Sequence, residues 1–360
     1  MAAISALTPW WSWAAPLLSW IVMAVALVAG VSTPVAILAG LSLLPAVFAA
    51  VYHAEVVAHR VGEPYGTLIL AIAVTIIEVA LIISVMAGAP EAKAGLARDT
   101  VYAAVMIACN GIVGLSLLVG GVRHHEQGFK LDGASAALAV LAALTTLTMV
   151  IPNVTTTTPG PTFSTAQLIF AGLASLVLYG AFVFIQTVRH RDYFLAPDSG
   201  DDTHADPPPR EVAMRSLGLL AASLIAVVGL SKLLTPALEH GLALANAPKA
   251  FVGLVIAALV LFPEGIAALN AARANRLQTS LNLALGSALA SIGLTIPAVA
   301  AVAVYQHMPL LLGLSLKDEV MLGLTLLLGV ITLGTGRTTI LQGVVHLTVF
   351  AAFVFFALVP

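Results

Sequence analysis

Apolar runs of about twenty residues recur from one end of this 360-residue chain to the other. Each matches in length a single crossing of the hydrocarbon core of a bilayer. No water is available there, so backbone N–H and C=O groups must pair within the protein, which leaves helix bundles or closed barrels. The runs are continuous rather than alternating, and continuous runs of this length specify helices. The chain therefore reads as an all-α polytopic membrane protein. Only 9% of its residues are charged and 60% are hydrophobic, against roughly 25% charged in a soluble domain. A formal charge of −2 gives no basis for a nucleic-acid partner. The lone cysteine, Cys109, allows no internal disulfide. The first run lacks a basic n-region and reads as a first helix rather than a cleaved signal.

About eleven spans are expected, near 11–30, 34–52, 66–88, 100–121, 134–151, 165–188, 213–235, 249–270, 279–304, 319–333 and 339–359. Their connections fall alternately on two sides. One side receives Arg60, Arg123, Lys130, Arg189, Arg191, Arg210, Arg215, Arg273, Arg276 and Arg337. The other receives Lys93, Arg98, Lys249 and Lys317. The richer side is expected in the cytoplasm, with the N-terminus inside and the C-terminus outside. The longest connection is acidic and proline-rich at its centre. It reads as a flexible cytoplasmic linker, 189–212, between a first half at 34–188 and a second at 213–360, with 1–33 as an extra N-terminal helix.

Two acids sit well inside spans. Glu78 lies in GEPYGTLILAIAVTIIEVALIISVM, about 18 Å into its helix and so near the middle of a core about 30 Å thick. Glu264 lies in AFVGLVIAALVLFPEGIAAL, with Lys249 and Arg273 roughly 22 and 13 Å away along a helix. Each is on the first helix of a pair whose second helices are alike: IVGLSL (112–117) matches SIGLTI (291–296), and Asp99-Thr100 aligns with Gln278-Thr279. This points to an internal duplication. Five spans per copy, an odd number, force the two copies into opposite orientations, the inverted-repeat arrangement of many secondary transporters. Pro263 before Glu264 and Gly265 after it predict a broken helix whose freed carbonyls ligate a cation. Gly286 and Gly293 predict close approach of the following helix, where Ser287, Ser291 and Thr295 offer oxygens. Thr75, one turn before Glu78, offers another.

At these residues the chain resembles a known group. HAEVVAHRVGEPYGTLILAIAVTIIEVALI is similar to the first signature repeat of the cation/proton exchangers of the calcium:cation antiporter superfamily (54–121 here). LFPEGIAALNAARANRLQTSLNLALGSALASIGLTIP is similar to the second (249–300). GEPYGTL, LFPEG, GTGRT and GVVHL make the likeness to bacterial ChaA-type calcium/sodium/potassium–proton antiporters closer still. The resemblance implies eleven helices arranged as one plus five plus five, the sodium/calcium exchanger-like fold. It also implies a bacterial inner-membrane location and a cation site to which Glu78 and Glu264 each contribute. Calcium/proton members carry Gly-Asn shortly before each glutamate, where this chain has Val74-Thr75 and Val260-Leu261. Their partner-helix amide is Ala290 here. Fewer side-chain ligands argue against strict calcium selectivity.

A bare charge in the membrane costs at least a few kcal/mol, so each acid must be protonated, paired or ligated. Two close carboxylates also repel. The expected activity is antiport of Ca²⁺, Na⁺ or K⁺ against protons that compete for Glu78 and Glu264, with no cofactor and with the lipid bilayer as surroundings. A proton-independent sodium/calcium-type exchanger and a channel are the alternatives. An intramembrane enzyme is excluded by the lack of HExxH and of any aspartate deep in a span. Glu55 and Glu63, flanking His59-Arg60, read equally as an entrance or proton relay and as a salt-bridged helix end. His346 reads as a proton carrier or, better, as a packed histidine. Arg123-His124-His125-Glu126 reads as a solvated patch rather than a metal site. GTGRTT (334–339) lacks a Walker lysine and reads as the turn between the last two helices. The linker acids Asp198, Asp201, Asp202 and Asp206 lack EF-hand spacing.

Overall fold

The structure, a computed structural model, describes residues 9–62, 65–88, 93–195, 207–244 and 248–359. Its long helices are α1 (Trp10–Ala29), α2 (Thr33–Val61), α3 (Tyr65–Gly88), α4 (Leu96–His124), α5 (Leu131–Asn153) and α6 (Thr165–Arg189). Beyond the linker come α7 (Arg210–Leu244), α8 (Lys249–Arg273), α9 (Leu277–Tyr305), α10 (Leu316–Leu333) and α11 (Ile340–Leu358). Among the described residues, ten of these are long and apolar enough to cross a membrane. The eleventh, α10, opens on Lys317-Asp318-Glu319, and these charges sit at its capped N-terminal turn, where Ser315 Oγ accepts from the Asp318 amide. Capping boxes set two other starts, Ser164 with Gln167 at α6 and Thr339 with Gln342 at α11. The spans, read from hydropathy, are thus the helices observed.

Several details differ from expectation. Helix α8 runs unbroken through Pro263, as α1, α2 and α7 run through Pro16, Pro45 and Pro236. In a membrane the remaining ladder and the neighbouring helices tolerate the missing N–H. The irregular turns lie elsewhere: π-helical segments interrupt α4 at Ile107–Ile112, α5 at Thr146–Val150, α6 at Ile185–Arg189 and α9 at Ser291–Thr295. As α7 does past 235, helix α2 continues past its expected end at 52. There His53, Ala54 and Val57 are buried while Glu55, His59 and Arg60 are exposed, an amphipathic spacing that sustains the helix.

The helices gather into two compact units. One contains α1, α2, α3 and α7, and the other contains α4–α6 and α8–α11. In the first unit, α2 and α7 pack together and both pack on α3. Hydroxyl and indole groups tie it: Ser84 Oγ to Ser231 Oγ at 3.1 Å, Ser19 Oγ to the Ser42 carbonyl at 3.2 Å, and Trp20 Nε1 to the Ala222 carbonyl at 3.1 Å.

In the second unit, backbones approach through glycines. A Cβ on Gly253 of α8 would lie 2.7 Å from the Asp99 and Thr100 backbone of α4. One on Gly114 of α4 would lie 2.9 Å from His346 Cβ of α11. Of the two glycines expected to allow close approach, Gly293 does so and Gly286 does not. Gly293 faces Tyr179 of α6, and nothing lies within 4 Å of a Cβ on Gly286.

The connections of this unit also sort by side. Residues 127–128 pair antiparallel with 337–338, Gln127 Nε2 donates to the Ala272 carbonyl at 3.0 Å, and Lys130 Nζ to the Asp192 carbonyl at 2.7 Å. These join four connections assigned to the basic-rich side. Opposite them, Arg98 donates to the Gly313 carbonyl at 2.8 Å and Asn153 to the Leu314 carbonyl at 2.6 Å.

Candidate functional site

Glu78 is 1% exposed at the middle of α3, in the first unit. The helix forms here because Thr67 to Ala87 is an apolar run with no turn residue inside it. Its faces are covered by α2 and α7. Thr75, three residues earlier and therefore on the same face, is half-buried. Below it, the Thr235 hydroxyl donates to the Ser231 carbonyl at 2.9 Å beside the Ser84–Ser231 bridge, so α3 is held to α7 by polar contacts as well as packing.

Glu264 is 8% exposed in α8, in the second unit. Close approach at Gly253 fixes α8 against the N-terminal end of α4. One residue beyond the glutamate, a Cβ on Gly265 would meet the Ile112 side chain at 3.5 Å. Ile112 belongs to the π turn of α4, so the helix next to this acid is irregular where the acid-bearing helix is not. Helix α9 also packs on α8, and carries Ser287, half-buried, and Ser291 and Thr295, both buried. Ser291 and Thr295 bound the π turn of α9.

The structure adds a polar group that hydropathy reading overlooked. Asn110, in the π turn of α4, is 0% exposed and donates to Thr325 Oγ1 of α10 at 2.9 Å. Its carbonyl oxygen lies 3.0 Å from Nδ1 of His346, whose Nε2 lies 3.0 Å from Thr332 Oγ1. His346 is therefore a packed and bonded histidine. A lone amide inside an apolar run was the available signal, since the reasoning that singled out the acids applies to it as well.

The remaining candidates stand apart. Glu55 is exposed on α2, and Glu63 lies outside the described residues, as do the linker acids Asp198, Asp201, Asp202 and Asp206. In the Arg123–Glu126 patch, His124 Nε2 lies 3.0 Å from the Arg273 carbonyl and Glu126 pairs with Arg337 at 3.3 Å. These contacts tie connections together. Among the described residues no three His, Cys, Asp or Glu side chains cluster as a metal site.

Apolar helices sufficient for repeated crossings, with a carboxylate buried in α3 and another in α8, define an integral membrane ion transporter. The profile described as sodium/calcium exchanger protein matches residues 31–188 and 215–359. The protein y4hA of Sinorhizobium fredii (strain NGR234) is 50% identical over 99% of this chain and 98% of its own length. The sodium-potassium/proton antiporter ChaA of Escherichia coli (strain K12) is 40% identical over 86% and 85%. Among solved structures, native YfkE superimposes with a TM-score of 0.73 at 18% identity, covering 96% of this chain and 98% of that one. The chain belongs to the sodium/calcium exchanger family, as a ChaA-type antiporter of the calcium:cation antiporter superfamily. It is a transporter of cations and not an enzyme.

Proposed function

We propose that this protein exchanges cytoplasmic Na⁺, K⁺ or Ca²⁺ for protons by alternating access, and that cation and proton compete for Glu78 and Glu264. The observation that carries the reading is burial: each carboxylate is enclosed within an apolar, membrane-spanning helix. Ionised and bare, such a group costs about 3 kcal/mol or more. A proton or a metal cation removes that cost, and hard oxygen ligands suit these ions. The form with neither bound is then too costly to change access, which couples the two fluxes. Thr75 offers a further oxygen beside Glu78, and Ser287 and Ser291 offer theirs on the helix packed against the one that bears Glu264; Glu55 and Glu63 are assigned to a cytoplasmic entrance or proton relay. The name of the ChaA relative supports sodium and potassium as substrates.

The same reading places the protein in a bacterial inner membrane, N-terminus inside and C-terminus outside, with 189–212 separating two homologous five-helix repeats. The excess of basic residues on one set of connections supports it.

Purified protein in liposomes with an imposed pH gradient tests the proposal. Added Na⁺, K⁺ or Ca²⁺ should dissipate the gradient without an applied voltage. Glu78→Gln and Glu264→Gln should each reduce this by about 100-fold, the equivalent of roughly 3 kcal/mol. Cation-dependent proton flux that survives either substitution rejects that residue. Cation exchange without proton movement identifies a sodium/calcium-type exchanger, and voltage-driven flux identifies a channel.

A further inference from the structure

We infer that His346 is a positioning residue: it acts as a fixed hydrogen-bond donor that holds Asn110, and with it the π turn of α4, against the segment bearing Glu264. The inference rests on the reading of Glu264 given above.

The direction of each bond follows from the hydroxyl of Thr325. That hydroxyl's one hydrogen is taken up by the Met321 carbonyl, 2.8 Å away, and Met106 Sδ, 3.3 Å away, neither of which can donate to it. Its oxygen therefore accepts from Asn110 Nδ2. This fixes the amide of Asn110 with Oδ1 towards His346, and Oδ1 can only accept. The hydrogen between them must come from His346 Nδ1. Nε2 is then the acceptor of the neutral ring, satisfied by the Thr332 hydroxyl. Every member is buried: Asn110, Thr325, Thr332 and His346 are all under 4% exposed. The ring needs no charge, and both its nitrogens are occupied.

Contact continues from this network to the acid. Gly114 and Gly343 bring the α4 and α11 backbones together, with His346 Cβ against Gly114. A π turn has one residue more than the helix around it requires, so its register is sensitive to what holds it. Asn110 is held on α10 and α11, and two residues later Ile112 packs on Gly265, adjacent to Glu264. Releasing Asn110 frees the turn to shift against the acid.

Three substitutions separate a donor from a proton carrier. The amide of His346→Asn reaches the position of Nδ1, that of His346→Gln reaches towards Nε2, and His346→Leu makes neither bond. The donor role predicts that the Leu and Gln variants raise the half-saturating cation concentration about 10-fold, as loss of an outer partner does at metal sites. The Asn variant should recover to within about 3-fold, with an unmoved pH profile, although it cannot carry a proton. Thr332→Val, which leaves the Nδ1 bond intact, should stay near wild type. Size-exclusion chromatography in detergent establishes folding, and if the Leu variant does not fold, Asn against Gln decides. An Asn variant as impaired as Leu or Gln overturns the inference, as does an unimpaired Leu or Gln variant. Glu264→Gln is measured in parallel: retained exchange there defeats the assignment of Glu264, whereas its loss beside wild-type behaviour of His346→Leu defeats only the role of His346.

Discussion

Helices α3 and α8 carry like residues at like places and are supported in unlike ways. Around Glu78 the polar support comes from side chains, with α3 joined to α7 by Ser84, Ser231 and Thr235, while near the start of α3 a Cβ on Gly66 would lie 2.6 Å from the Ala58 carbonyl of α2. Around Glu264 the support is backbone on backbone. Gly253 admits α4, and the amide of Asn110 in the neighbouring π turn is fastened by a threonine and a histidine on helices beyond it. Two helices can hold an acid at a like place while each finds its own packing, because packing needs only volume and satisfied polar groups.

Substituting glycine gives the largest test of this contrast. Gly253→Ala forces a Cβ within 2.7 Å of main chain that cannot swing aside, and should destabilise the protein by about 3 kcal/mol. Gly40→Ala in the first unit meets only Leu234 Cδ2 at 4.0 Å and should be neutral or slightly stabilising, since alanine favours helix by about 1 kcal/mol. Thermal unfolding of the two variants in detergent measures the difference, and equal shifts would erase the distinction. Next comes Pro263. Because α8 is continuous there, Pro263→Ala should restore a helical donor to the Leu259 carbonyl, raise the unfolding temperature and leave antiport within about 3-fold. Abolished antiport in a folded variant would show that the carbonyl freed by proline is itself a ligand. The smallest effect is expected at Ser84→Ala, about 0.6 kcal/mol, the usual value of one hydrogen bond between membrane helices. A larger loss would make hydroxyl bridging the main support of α3.

Much of the fold was legible because the bilayer simplifies the code. A run such as 165–188 has to be a helix, and Thr165–Arg189 is one. The extension of α2 was missed because its polar face, with Glu55 and His59, reads as a helix end when only mean hydropathy is weighed. The candidate site was legible in its acids, which stand out against apolar neighbours. It was not legible at Asn110, whose importance comes from Thr325 and His346 more than two hundred residues away.

The sequence by itself determined which segments form the long apolar helices and which two acids lie within them, since each depends on local composition and on solvent. Tertiary structure alone decided that Pro263 leaves α8 whole, that the irregular turns fall in α4–α6 and α9, and that α7 joins α1–α3 in one compact unit. Those outcomes depend on contacts between distant segments, where a missing N–H, an extra residue in a turn or a bare Cα is accommodated only by what packs against it.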